Sequence, residues 1–314
     1  DGLLASKAAG QPVLVGRATV RGDQPVYLLV QRGNGKPPPG PEGLAFAYKL
    51  ADRARQAVAG QITIDTPDPF INASANAIAV SADALWAAPT VMHGNVAWRQ
   101  PLLGWRGPYV LDELGWHDRA NQHFEYWAAK QNTDEKDTPE PHADPAKNLA
   151  TDDWKALHSY GSIPSTHYDM NLVFIDALLR HLLWTGDLDF ARRMWPVLQR
   201  HLAYEKRLFD RDGLYEAYAA IWASDGLGYG GGGAAHATAY NLWHNRMAAR
   251  IARLIGQDPA PYEVEAKWIA DAMQHDLWLP DRGWYAEYKD TLGLKRVHPD
   301  AALWTAYHAI DSQV

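Results

Sequence analysis

From Asn72 onward the chain runs helix after helix, and the connections alternate between very short and very long. Met170–Trp184 puts Met170, Val173, Phe174, Ala177, Leu178 and Leu182 on one stripe; a Gly186-Asp187 turn follows, and Asp189–Leu208 returns. The arrangement recurs as Ala237–Ile255, a stop at Gly256, a start at Pro259, then Tyr262–Leu277. Ala73–Ala87 is small and apolar, Glu113–Lys130 reads as one amphipathic helix, and Ala301–Ile310 is the last of the series. The long segments 131–165, 209–236 and 278–298 separate the hairpins and are rich in Trp, Tyr, Gly and Asp. An (α/α)6 toroid requires this alternation, because its long loops emerge on one face and line one cavity. About seven helices are recognisable where a closed toroid needs about twelve. Half a toroid would expose a wide apolar face, so the expectation is a piece of a larger protein, completed by a companion chain or a continuation.

Ahead of the helices the pattern is different. Val13 and Val15, then Val26, Leu28 and Val30, alternate around a turn at Arg21-Gly22-Asp23-Gln24-Pro25, as in the last hairpin of a β-sandwich. The expected organisation is therefore mainly α: terminal strands and a proline-rich loop over 1–44, a linker helix and linker over 45–71, and the first part of the toroid over 72–314.

Composition removes several classes of function. A net charge of −7 leaves no basic surface for a nucleic-acid partner. Apolar runs such as Leu172–Ile175 fall far short of the roughly 20 residues that span a bilayer, so no membrane partner is expected. With no cysteine there is no disulfide, thiolate metal site or cysteine nucleophile. That fits a bacterial periplasmic or secreted protein, as does a first residue, Asp1, whose leader would already be gone. No G-x-S-x-G is present, and the glycines from Gly228 to Gly233 lack the preceding strand that a dinucleotide site needs. No cofactor is expected. The histidine pairs His117 with His123 and His236 with His244 lack ligand spacing, so no metal is expected either. Fourteen Trp and fifteen Tyr against six Phe favour rings that stack on sugars and still hydrogen-bond, although core packing accounts for about two-thirds of them.

Three clusters carry the chemistry. In the first, Trp105 and Arg106 precede Asp112-Glu113-Leu114-Gly115-Trp116-His117-Asp118; a protonated carboxyl can donate to a glycosidic oxygen while its neighbours hold hydroxyls. Helix-start acids and a buried Arg106 pair are the equal alternative. In the second, Glu216 and Trp222 lead to Asp225 and then to Tyr229 among glycines, just before a helix bearing His236. Those glycines let backbone approach a ligand, or form a loop with Asp225 in a turn. In the third, His167, Tyr168 and Asp169 stand where a long loop enters a helix, with Asp169 either a diol ligand or a helix cap.

The stretch Asp112-Glu113-Leu114-Gly115-Trp116-His117-Asp118 resembles the R-D-E-R-L-G-W-x-G-D motif of bacterial α-L-rhamnosidases, shortened and without the arginine before the aspartate. Residues 45–314, through Trp222-Ala223-Ser224-Asp225 and Ala237–Trp243, resemble a bacterial family of six-hairpin glycosidases with a β-sandwich in front. The first resemblance implies Glu113 as general acid, with Asp112 and Asp118 holding sugar hydroxyls. A competing likeness to trehalase and processing α-glucosidase relatives makes Asp225 the acid and leaves the Arg106–Asp112 region to bind sugar. Both imply a carbohydrate substrate, inverting hydrolysis and a base lying beyond Val314. Toroids of this build also include polysaccharide lyases, for which Tyr168, His167, Asn171 and Arg106 would serve, and a carbohydrate-binding relative without catalysis is the third alternative.

Overall fold

The structure is a computed structural model that describes residues 19–23, 25–29, 40–94, 100–104, 107–133, 143–144, 149–150, 170–216, 232–291, 293–301 and 303–314. Residues 1–80 and 81–314 are two compact units. In the first, helix α1 (Pro41–Ala59) begins with a proline and Glu42 in its first turn, both suited to a helix start, and stops at Gly60. Helix α2 (Pro69–Leu85) is capped by Asp68, whose carboxylate accepts the Phe70 N–H at 2.8 Å. Of the expected terminal hairpin, the strand bearing Val13 and Val15 lies outside the described residues, as does Val30. Val26–Leu29 takes no place in a ladder among the described residues, and Val26 and Leu28 are exposed.

The second unit carries the helical hairpins. Its helices are α3 (Tyr109–Glu113), α4 (His117–Ala128), α5 (Met170–Thr185), α6 (Leu188–Phe209), α7 (Ala235–Ile255), α8 (Ala260–Asp276) and α9 (Leu303–Asp311). Helices α5 and α6 turn tightly at Gly186-Asp187, where Asp187 caps α6 by accepting the Asp189 and Phe190 N–H groups, each at 2.9 Å. Gly256 ends α7 in the left-handed region at φ 79°, and α8 starts four residues on at Ala260. Helices α5 and α7 are buried over most of their length, whereas α6 and α8 keep a polar outer side, the signature of inner and outer layers.

The apolar core is stacked along the helix axes. One cluster joins Ile175, Leu178 and Leu179 of α5 to Phe190, Met194 and Leu198 of α6 and to Met247 and Ile251 of α7. These residues surround the tight turns. The other joins Leu172 of α5, Leu208 and Phe209 of α6, Ala235 and Ala237 of α7 and Ile269 and Met273 of α8, at the end where the long connections enter and leave. The helices thus have a short-turn end and a long-loop end.

Of the helix expected over Glu113–Lys130, His117–Ala128 forms α4, while Glu113 closes the separate helix α3. Gly115 adopts φ 73°, the Trp116 N–H donates to the Leu111 carbonyl at 2.7 Å, and the Gly115 N–H donates to the Asp112 carbonyl at 2.9 Å. That is a Schellman termination of α3, and only glycine adopts its left-handed position without strain. Its consequence is local: Asp112 and His117, which a continuous helix would separate by well over a turn, face each other across the corner.

A polar seam runs inside the α6–α7 contact. His201 and Glu205 are one turn apart on α6, and Asn241 and His244 face them from α7, all buried. His201 Nε2 lies 3.2 Å from His244 Nδ1, and the Asn241 side-chain amide donates to Glu205 at 3.3 Å. Burial pushes the Glu205 carboxyl up to about 8. The fold therefore retains a proton that the unfolded chain has shed above pH ~4.5, so this group makes stability fall as pH rises from ~4.5 to ~8. Glu205→Gln should remove that slope and gain about 2–4 kcal/mol on wild type between pH 5 and pH 8, measured by urea unfolding at both pH values.

Candidate functional site

The long-loop end is assembled by backbone pairing. Glu216, just after α6, bridges Gly233, just before α7. Gly233-Ala234 then pairs with Tyr288-Lys289, which pairs with Val297-His298, all antiparallel. The connection after α8 is hydrogen-bonded in this way to the start of α7. Near the first turns of α5, Gly104 packs so closely that a Cβ there would lie 2.5 Å from the Phe174 backbone nitrogen. The segments holding Trp105 and Arg106, His167, Tyr168 and Asp169, and Trp222, Asp225 and Tyr229 all lie outside the described residues.

Of the sequence candidates that are described there, Glu216 and His236 are both structural. Glu216 is buried; it forms an ion pair with Arg211 at 3.2 Å and accepts the Thr291 hydroxyl at 2.5 Å, clamping the segment after α6 to the connection after α8. His236 lies buried in the first turn of α7, its ring 6.3 Å from that of His308, and burial holds its imidazole down at about 3. Asp290 and His298, which the sequence did not single out, pair at 2.8 Å beside them. A small cleft here is lined by Arg211, Asp276, Lys289, Asp290, Thr291 and Lys295. Charged and hydroxyl groups of this kind suit a polyol.

The first cluster goes elsewhere. Asp112 Oδ1 lies 2.8 Å from His117 Nδ1 and 2.8 Å from His181 Nδ1, and His181 is four residues from the C-terminal end of α5. From Met170 to His181 the helix rises roughly 16 Å. The Asp112 corner is therefore at the short-turn end, and Glu113, exposed beside it, is there too. Trp116 lies under the Arg119 guanidinium at 4.4 Å, Arg119 pairs with Asp83 at 2.9 Å, and Asp118 is exposed in the first turn of α4, where it favours the helix dipole. Asp112 is buried between two imidazoles rather than offered to a ligand hydroxyl.

His181 was the residue missed. It shares a largely apolar helix with Asp176 and Arg180, and three titratable groups among Leu172–Leu182 were the available signal. Asp176 accepts the Tyr109 hydroxyl, is paired with Arg180 at 3.0 Å, and Arg180 also pairs with Asp311, so one buried group ties α3, α5 and α9 together. His123 is the opposite case of a satisfied core histidine. Its Nδ1 accepts the Val91 N–H at 3.3 Å, its Nε2 donates to the Leu103 carbonyl at 2.9 Å, and burial holds it down at about 4.

No protein-family model and no curated protein matches the chain. Among solved structures it is similar to a rhamnosidase from Klebsiella oxytoca with rhamnose bound, with a TM-score of 0.51 at 16% identity over 81% of this chain and 46% of that one. It is similar also to an uncharacterized conserved protein from Thermus thermophilus, with a TM-score of 0.51 at 13% identity over 76% of this chain and 70% of that one. A rhamnosidase from Bacillus sp. GL1 aligns at a TM-score of 0.42 and 18% identity over 48% of this chain and 16% of that one. The chain spans less than half the length of the rhamnosidases it matches. Its fold is rhamnosidase-like, with helical hairpins of the (α/α)6 class. No helix among the described residues is long and apolar enough to cross a membrane.

Proposed function

We propose that the protein is a glycoside hydrolase, exported from a bacterial cytoplasm, that binds its carbohydrate at the long-loop end and cleaves it with inversion, Asp225 acting as general acid. What supports this reading is that the Glu216–Gly233 bridge and the sheet through Tyr288 tie the start of α7 to the end of α6 and to the connection after α8. Glu113 competes with Asp225 for the acid role, but it stands beside Asp112 at the other end of α5. In an inverting hydrolase the acid protonates the glycosidic oxygen while a second carboxylate, about 6.5–9.5 Å away, takes a proton from the attacking water. That base is assigned to a companion segment of the complete protein.

Rhamnose in the Klebsiella enzyme makes an aryl α-L-rhamnoside the first substrate to assay, followed by a panel of other aryl glycosides. In the complete protein, Asp225→Asn should lower kcat by about a hundredfold to ten-thousandfold, while Glu113→Gln should stay within about threefold of wild type. The opposite pattern would return the acid role to Glu113. Failure of the folded, complete protein to hydrolyse any glycoside would end the hydrolase reading.

A further inference from the structure

We propose that Asp112, His117 and His181 form a binding site for a divalent transition-metal ion of the zinc class, at the short-turn end and independent of the carbohydrate reading. Two imidazole nitrogens converge on one carboxylate oxygen at 2.8 Å each, and the three ligand atoms lie within 4.8 Å of one another. Two nitrogens and one oxygen form a borderline-soft set that suits zinc or cobalt; calcium and magnesium prefer oxygen alone.

The surroundings prepare the ligands. His181 Nε2 lies 2.8 Å from the Asn121 side-chain oxygen and donates its proton to it. The ring is thereby fixed from outside with Nδ1 turned toward Asp112, as the rings of metal-bound histidines usually are. Without a cation, Nδ1 is hydrogen-bonded to the carboxylate at 2.8 Å. A bound ion replaces that hydrogen bond and releases its proton. Phe124 and Phe190 pack on the His181 ring at 5.2 and 5.1 Å, closing the inner side. The His117 side chain is 42% exposed, so the ion keeps one face toward solvent and a water as its remaining ligand. Asp112 and His117 straddle the Gly115 corner and His181 belongs to α5, so the ion fastens the α3–α4 corner to the C-terminal end of α5.

The test is a titration of the metal-stripped protein with Zn²⁺ against a chromophoric chelator, repeated with Co²⁺ for its visible absorption. Wild type should bind one equivalent with a dissociation constant of micromolar or tighter. Its Tm should rise by about 5–10 °C at free zinc a hundredfold above that constant. His117→Ala, at a half-exposed position, should weaken binding at least about a hundredfold and abolish the Co²⁺ band. His275→Ala, which removes an exposed imidazole paired with Asp276, should change neither. Sub-stoichiometric or millimolar binding by wild type, or His117→Ala binding as tightly as His275→Ala, would overturn the proposal and leave the cluster a hydrogen-bonded corner.

Discussion

Replacing Gly104 by alanine should destabilise the helical unit by about 2–4 kcal/mol and lower its Tm by roughly 5–15 °C. A methyl group at this position would lie 2.5 Å from the Phe174 nitrogen, 2.7 Å from its Cα and 2.7 Å from the Val173 carbonyl carbon. All three are backbone atoms of α5, a helix packed against its neighbours over most of its length, so nothing flexible can yield. Gly256 provides the contrast. It adopts φ 79° with nothing within 4 Å of where its Cβ would be, so alanine there meets only the left-handed backbone penalty of about 1–2 kcal/mol. Thermal unfolding of the two variants checks the difference, and a Gly104→Ala protein as stable as Gly256→Ala would show that the loop moves away from α5 at little cost. Because Gly104 borders the segment holding Trp105 and Arg106, this variant should also weaken any ligand held at the long-loop end.

Acidification should unfold the protein well before its carboxylates titrate. Four buried imidazoles are held below their ordinary value by burial: His123 at about 4, His201 and His236 at about 3, and His244 well below 6.5, where His201 and Arg180 add to the effect. The unfolded chain protonates each near pH 6.5 and the fold does not, so their contribution is fully present above 6.5 and is lost as pH falls. At pH 5 the loss is about 2 kcal/mol for each independent group, and ~4–8 kcal/mol for the four together, as large as a typical domain's stability. Glu205 slopes the other way between ~4.5 and ~8. Stability should therefore peak near pH 6–6.5 and collapse between about pH 5.5 and 4.5. Chemical unfolding across pH 4.5–8 tests this, and a flat profile from 6.5 to 4.5 would mean that these histidines reach water in the folded state.

The helices that could be read from the sequence are those with a continuous stripe and a local stop. Met170–Trp184, Asp189–Leu208 and Tyr262–Leu277 each lie within two residues of α5, α6 and α8 at both ends, because apolar spacing, the Asp187 cap and the Gly256 stop act within a few residues of chain. The break at Gly115 was not legible. Its neighbours keep helical apolar spacing, and glycine is tolerated inside helices, so only the hydrogen bonds back to Leu111 and Asp112 reveal the corner.

The candidate site divides along the same physical line. Local sequence determined that aromatic, acidic and glycine-rich segments sit between hairpins, and that α5 carries Asp176 and His181 among leucines. It could not determine that Asp112, 69 residues from His181, would meet it at 2.8 Å, or that this carboxylate would stand roughly 16 Å along α5 from its first residue. Chain proximity fixes turns and stripes, because those depend on neighbours a few bonds away. Which end of a helix a loop reaches depends on how inner and outer helices pack, and that is decided only when the whole core closes.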